Sequence, residues 1–108
     1  MLFINTMRIK DFFYTLPAEE QAKVFGGVRA FTGKYLKMGK FKSVYVSFDL
    51  KTIVVIWEAE SAEEAARLFA ENPGSNYTDY DSFPIIEYSV YQNILKEAME
   101  AAQKVARK

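Results

Sequence analysis

Two residue types that do much of protein chemistry are missing from this chain: it has no Cys and no His. Thiolate nucleophiles, disulfides and cysteine-ligated metals are excluded. So is imidazole, the commonest general base and metal ligand. Acid–base work falls to Asp, Glu, Lys or Tyr. Among these the candidate catalytic residue is Glu87, set between Ile86 and Tyr88. A carboxyl held in an apolar strand is desolvated, its pKa rises, and it can then act as a general acid or base. The competing reading is a rim glutamate paired with Arg8 or with a lysine of a second copy, since structural ion pairs also perturb carboxyls.

The candidate ligand-binding residues are aromatic. Tyr45 and Trp57 suit one wall of a pocket for a planar ligand, or equally an ordinary core pair with one polar end anchored. Tyr77 and Tyr80 lie in a polar, aromatic loop over residues 76–81. Such a loop is either a lid over a pocket or a surface crossover built on Asx turns. Asn76, Asp79 and Asp81 lack the Gly and closing Glu of a calcium loop, so no metal site is expected. No cofactor is expected either.

These residues need elements to hold them. Residues 52–57, Thr-Ile-Val-Val-Ile-Trp, read as a strand of β-branched and aromatic side chains. Ile53, Val55 and Trp57 point one way; Thr52, Val54 and Ile56 point the other. A strand apolar on both sides asks for cover on both sides. Residues 41–48 form its hairpin partner across Asp49-Leu50. A two-residue loop sets Val46 opposite Ile53 and Val44 opposite Val55. It gathers Val44, Val46, Phe48 and Trp57 on one face and leaves Ser43, Tyr45 and Ser47 on the other. One residue more or less in that loop would move Trp57 to the Tyr45 side.

Residues 2–9 read as a first strand and 83–91 as a fourth, with Pro84 near its start. A helix begins around Pro17-Ala18-Glu19-Glu20 and runs to Met38, with Gly39 as its stop. Its buried stripe is Val24, Val28, Phe31 and Tyr35. The opposite side is small: Ala22, Gly26, Ala30 and Gly33. That signals either a close approach by another backbone or a kink near Gly26-Gly27. Ser61-Ala62-Glu63-Glu64 is a capping box that opens a second helix, ended by Asn72-Pro73-Gly74. Residues 92–108 form an amphipathic last helix with Leu95, Ala98, Met99, Ala102 and Val105 on one face. Lys96, Lys104, Arg107 and Lys108 stand against Glu97 and Glu100 on its other side.

The order is β-α-β-β-α-β followed by a helix. This predicts the α+β class: a ferredoxin-like antiparallel sheet with two crossover helices on one face. The first and third strands are central in that topology. The domain covers residues 1–91, and residues 92–108 pack on the same domain or on a partner subunit. The other sheet face keeps Tyr45, Val54, Ile56 and Ile85. Bare, they approach the ~300–600 Å² of the largest apolar patch on a typical monomer. A second copy of the sheet is the favoured cover, because a twofold pairing of one face with itself is the commonest assembly.

The chain has 108 residues, 14 basic and 14 acidic, for a formal net charge of zero. That gives no general pull toward nucleic acid or an anionic membrane. RNA-recognition domains share the topology but use a basic sheet and a Gly-containing third strand; residues 52–57 have neither. There is no basic, apolar leader at the N-terminus and no window of the ~20 apolar residues a membrane span needs. A cytoplasmic location is expected.

Three patterns carry a family resemblance. The first is Gly39-Lys40-Phe41 leading into a hairpin that ends Val55-Ile56-Trp57-Glu58-Ala59. The second is the segment Ser61-Ala62-Glu63-Glu64-Ala65-Ala66-Arg67-Leu68. The third is Asn72-Pro73, a loop, then Ile85-Ile86-Glu87-Tyr88. Over residues 1–91 the chain resembles the dimeric α+β barrel superfamily, with its muconolactone isomerase-like, YCII-like and antibiotic-biosynthesis-monooxygenase-like members. The resemblance implies a homodimer whose two sheets close into a barrel, with a small-molecule pocket between sheet and helices. YCII-like proteins have a His near that pocket and this chain has none, so no catalytic set is carried over. The expected function is binding of a small organic molecule, as a binding protein or a cofactor-free enzyme. The alternative is a non-enzymatic oligomerisation or interaction module, which the lack of His and Cys favours.

Overall fold

A computed structural model describes residues 1–106; Arg107 and Lys108, expected to finish the last helix, lie outside the described residues. Four strands form one antiparallel sheet: β1 (Leu2–Ile9), β2 (Phe41–Val46), β3 (Thr52–Glu58) and β4 (Thr78–Ile85). Their order is β2-β3-β1-β4, so the first and third strands are central. Three α-helices accompany them among the described residues: α1 (Ala18–Lys37), α2 (Ala62–Glu71) and α3 (Tyr88–Ala106). The architecture is α+β, of a ferredoxin-like kind.

The strand period of two sorts the side chains. Phe3, Asn5 and Met7 of β1 face inward with Val55 and Trp57 of β3. Phe31 and Tyr35 of α1 and Ala65 and Leu68 of α2 close over them in one core. Both crossover helices therefore cover the same face. Trp57 is the centre of that core, 0% exposed, with Phe3 at 5.7 Å and Phe41 at 6.3 Å between ring centroids.

The β2–β3 register is the expected one, with Val46 opposite Ile53 and Val44 opposite Val55. It places Trp57 on the helix side. β2 itself ends at Val46, and Phe48 stands fully exposed at the hairpin tip. A bulge between Phe41 and Ser43 was not legible in the sequence; it turns Phe41 inward opposite Trp57.

α1 is continuous through Gly26-Gly27, without the break that the glycines allowed for. Gly27 does admit a close approach: a Cβ there would meet the Pro73 ring at 3.1 Å. Gly26 and Gly33 face open space. Gly39 ends the helix with φ +75°, the left-handed turn that glycine adopts without penalty.

The fourth strand corrects the expected boundaries. It spans Thr78–Ile85 instead of residues 83–91, and the polar loop expected over residues 76–81 supplies its first half. Tyr80, Ser82 and Pro84 alternate with Asp79, Asp81 and Phe83 along it, and it pairs with β1 from Thr78 to Ile85. β4 is an edge strand, where Pro84 costs no interior ladder bond. Residues 86–91 leave the sheet and enter α3. An apolar run of that length fits strand or helix equally, and the periodicity continuing through Leu95 and Met99 decides for helix.

Candidate functional site

The sequence-derived site residues do not converge. Tyr45 and Trp57 lie on opposite faces of the sheet: Tyr45 is 62% exposed on the outer face and Trp57 is sealed in the core. Strand alternation in the observed register forbids the shared aromatic wall. Glu87 is not in a strand. It is exposed in the two-residue link between β4 and α3, and its carbonyl accepts the first helical bonds, from Val90 N at 3.1 Å and Tyr91 N at 3.2 Å. The apolar strand environment expected to desolvate its carboxyl is absent.

Tyr77 and Tyr80 also separate. Tyr77 belongs to a short 3₁₀ turn and packs against Phe12 and Phe13, with centroids at 5.8 and 5.5 Å. It lines a cavity of about 40 Å³ with Met7, Phe13, Val24, Val28 and Ile53. That volume holds little more than two or three waters, and its apolar lining offers them few partners. It is a packing void under α1.

Tyr80 stands elsewhere, on the inner face of β4. Its ring stacks on Phe69 of α2 at 3.9 Å between centroids. The two rings form one side of a cleft of about 280 Å³ between α2 and the β1–β4 pair. Phe3, Ala62, Ala65, Ala66 and Ser82 complete its lining. The alanines, one and three residues apart, keep the facing side of α2 low, and this opens the space. The Ser61 hydroxyl caps that helix by accepting from Glu64 N at 3.2 Å, while the Glu64 carboxylate accepts from Glu60 N at 2.7 Å. Lys40 pairs with Glu64 and reaches over the Trp57 ring, 6.0 Å from its centroid. The helix start is thereby fixed against the sheet.

Polar groups enter this otherwise apolar region from the strands. Asn5, 3% exposed in the middle of β1, accepts a hydrogen bond at 2.6 Å from the Ser82 hydroxyl opposite it. The Tyr80 hydroxyl is buried with no hydrogen-bond partner among the described residues. Burial pushes its pKa up, and a contact with the Ser82 hydroxyl, too long for a full hydrogen bond, offsets part of that. A buried hydroxyl without a partner costs about 1–3 kcal/mol, so an acceptor or donor brought to it is favoured. The sequence named Tyr80 but gave no signal for Asn5 or Ser82, whose significance depends on pairing across strands 77 residues apart.

No carboxylate and no cation lines the cleft. Among the described residues no group of acidic side chains is placed to hold a metal ion, and no helix is long and apolar enough to cross a membrane. The arrangement can bind and orient a neutral molecule; a proton donor in it would be a phenol or a serine hydroxyl.

The outer face of the sheet is a separate surface. Ile4, Val54, Ile56 and Ile85 are half-buried there, beside the more exposed Phe83 and Tyr45. α1 and α2 lie on the other side, and no residue of α3 is buried. No family model matches the chain, and no curated protein matches it.

Proposed function

We propose that this protein binds a small, neutral, largely apolar organic molecule in the cleft between α2 and β4, and that it works as a homodimer of the α+β barrel kind. The observation that carries the binding is the Tyr80 hydroxyl, buried and without a partner beside an apolar cleft. Phe3, Phe69 and the α2 alanines supply apolar contact, and a shift of the Tyr80 ring on binding lets a ligand oxygen or nitrogen supply the hydrogen bond that its covered hydroxyl lacks. At about 280 Å³ the cleft falls just below the ~300–1,000 Å³ typical of ligand sites, which points to a ligand of one ring or a short branched chain. The uncovered apolar outer face supports the dimer. Two such faces closing on each other bury Val54, Ile56 and Phe83 of both copies.

A panel of small phenols, ketones and lactones tests the binding, followed by backbone and methyl NMR shifts. The expected result is shifts clustered at Ala65, Phe69, Tyr80 and Ser82, with affinity reduced in Tyr80→Phe. Shifts scattered over the surface, or none across the panel, would sink the reading.

The second reading is an assembly module without catalysis. It is favoured by the absence of any carboxylate or amine in the cleft lining, and by the size of the uncovered apolar surface.

A further inference from the structure

Helix α3 is patterned for burial, yet none of its residues is buried. At 3.6 residues per turn, Val90, Ile94, Tyr91, Leu95, Tyr88 and Met99 fall on one unbroken half of its circumference. Alanines and Val105 fill the gaps between them. Lys96, Glu97, Glu100 and Lys104 all fall on the other half. Two helices pairing through a seam need only two apolar positions per heptad. An apolar half-cylinder asks for a broader bed than one facing helix offers. Most helical stability in proteins comes from packing of an amphipathic face, and no residue of this one is buried.

The surface of the chain measures the deficit. A folded protein of 12.4 kDa exposes roughly 6,100 Å²; this chain exposes 7896 Å². The excess, about 1,800 Å², is more than twice the ~800 Å² that each partner gives to a standard interface. The radius of gyration is 18.9 Å, against about 13 Å for a compact chain of this length. The molecule is 69 Å long and under 30 Å in its other dimensions, as a domain with a projecting arm must be.

The root of α3 is placed to meet a second copy. Ile85 belongs to the outer sheet face, and only Ile86 and Glu87 separate it from the first turn of α3. A body seated on that face therefore touches the arm at once. We infer that α3 is an exchanged arm: its apolar half docks against a second copy of this chain that is paired through the outer sheet face. The inference rests on the pairing proposed above and adds the element that clasps it. In a pair joined through the outer sheet faces each copy holds its arm toward the other, so reciprocal exchange about a twofold axis covers both arms beside the seam. A lipid surface is the poorer occupant, because Glu97 and Glu100 interrupt the cations of the polar half and the chain as a whole carries no net charge.

The test uses the full chain in two measurements. Sedimentation gives the dimer dissociation constant of the unmodified chain, of Leu95→Glu/Met99→Glu, of Lys96→Gln as a polar-half control, and of Val54→Lys. Filtered NMR on a mixture of labelled and unlabelled chains detects contacts between copies. The expected result is contacts from the α3 methyls of one copy to the other. The dissociation constant should rise on the order of 100-fold in the double variant and stay unchanged in Lys96→Gln. A dimer that the double variant leaves intact overturns the arm while the outer-face pairing stands. A dimer split by the double variant but not by Val54→Lys supports the arm and removes the outer-face pairing. α3 contacts found only within one chain overturn the exchange. So does an unmodified chain that stays monomeric and co-sediments with phosphatidylcholine–phosphatidylserine vesicles.

Discussion

At the scale of single residues, the β2–β3 turn holds the clearest electrostatic feature. Asp49 accepts from the Ser47 hydroxyl, from Lys51 N at 3.0 Å and from the Arg8 guanidinium at 3.3 Å. These contacts, the Ser47 bond foremost, lower its pKa from 3.8 to about 2. A carboxyl with a folded pKa below its unfolded value adds stability above the unfolded value and loses it as pH falls through the folded one. Asp49→Asn is therefore expected to flatten the acid limb of stability between about pH 4 and pH 2, read as the urea midpoint against pH. Parallel curves for the two proteins would remove Asp49 from the account. Trp57 supports a second prediction. Its Nε1 is buried without a partner among the described residues, so Trp57→Phe gives back a desolvation cost while keeping most of the ring contact. Trp57→Ala is expected to cost about 3–5 kcal/mol, and Trp57→Phe markedly less, in chemical denaturation. Equal losses would show that the indole nitrogen costs nothing. The sequence left the side of Trp57 open, because strand alternation gives opposite answers for turns that differ by one residue; the observed pairing of Val46 with Ile53 puts it on the helix side. The inward turn of Phe41 was not legible either, because a bulge leaves no mark in hydrophobic periodicity.

At the scale of elements, α1 and α2 are joined by one small polar cluster over an apolar contact. The Tyr35 hydroxyl donates to Glu71 at 2.6 Å, and Lys34 donates to the other carboxylate oxygen at 3.1 Å. The bond to Glu71 raises the pKa of both Tyr35 and Lys34, and the same bonds lower that of Glu71. A hydrogen bond to a charged partner is worth about 1.5–3 kcal/mol; this one is partly wet, so Tyr35→Phe is expected at or below the lower end, about 1 kcal/mol. Thermal and urea unfolding check it, and a neutral or stabilising effect would mean that the two helices are held by Phe31, Ala65 and Leu68 alone. The start of α2 was written in Ser61 and Glu64, a local signal that needs no tertiary context. β4 was not, since Thr78, Asp79, Asp81 and Ser82 are common turn residues. They become a strand because β1 offers an open edge and Tyr80 and Pro84 reach the core side. The candidate cleft shares that origin. Tyr80 could be singled out as an aromatic residue near a loop, whereas its neighbours Phe69, Ser82 and Asn5 come from three elements that only the sheet brings together.

At the scale of the whole molecule, the inner face of the sheet is complete and the outer face is not. Phe3, Met7, Val55 and Trp57 are closed by two helices, while Val54 and Ile56, which alternate with Val55 and Trp57 along β3, have no helix over them among the described residues. Sequence alone showed that residues 52–57 are apolar on both sides, and it could not tell whether the last helix or a second copy supplies the missing cover. With no residue of α3 buried, the second copy is the better account, and the proposed dimer makes a direct prediction. Light scattering at micromolar concentration is expected to give twice the 12.4 kDa of one chain. Val54→Lys places a charge in the middle of the outer face, where a single chain tolerates it because a lysine stem can lie along apolar surface with its ammonium in water. In the dimer the same ammonium is trapped between two sheets, and a buried unpaired charge is too costly for the interface to absorb. The variant should thus run as a folded monomer, with circular dichroism and melting close to those of the unmodified chain. A dimer of undiminished affinity would move the interface off the sheet, and an unfolded variant would show that the outer face belongs to the stability of one chain and not to the pairing of two.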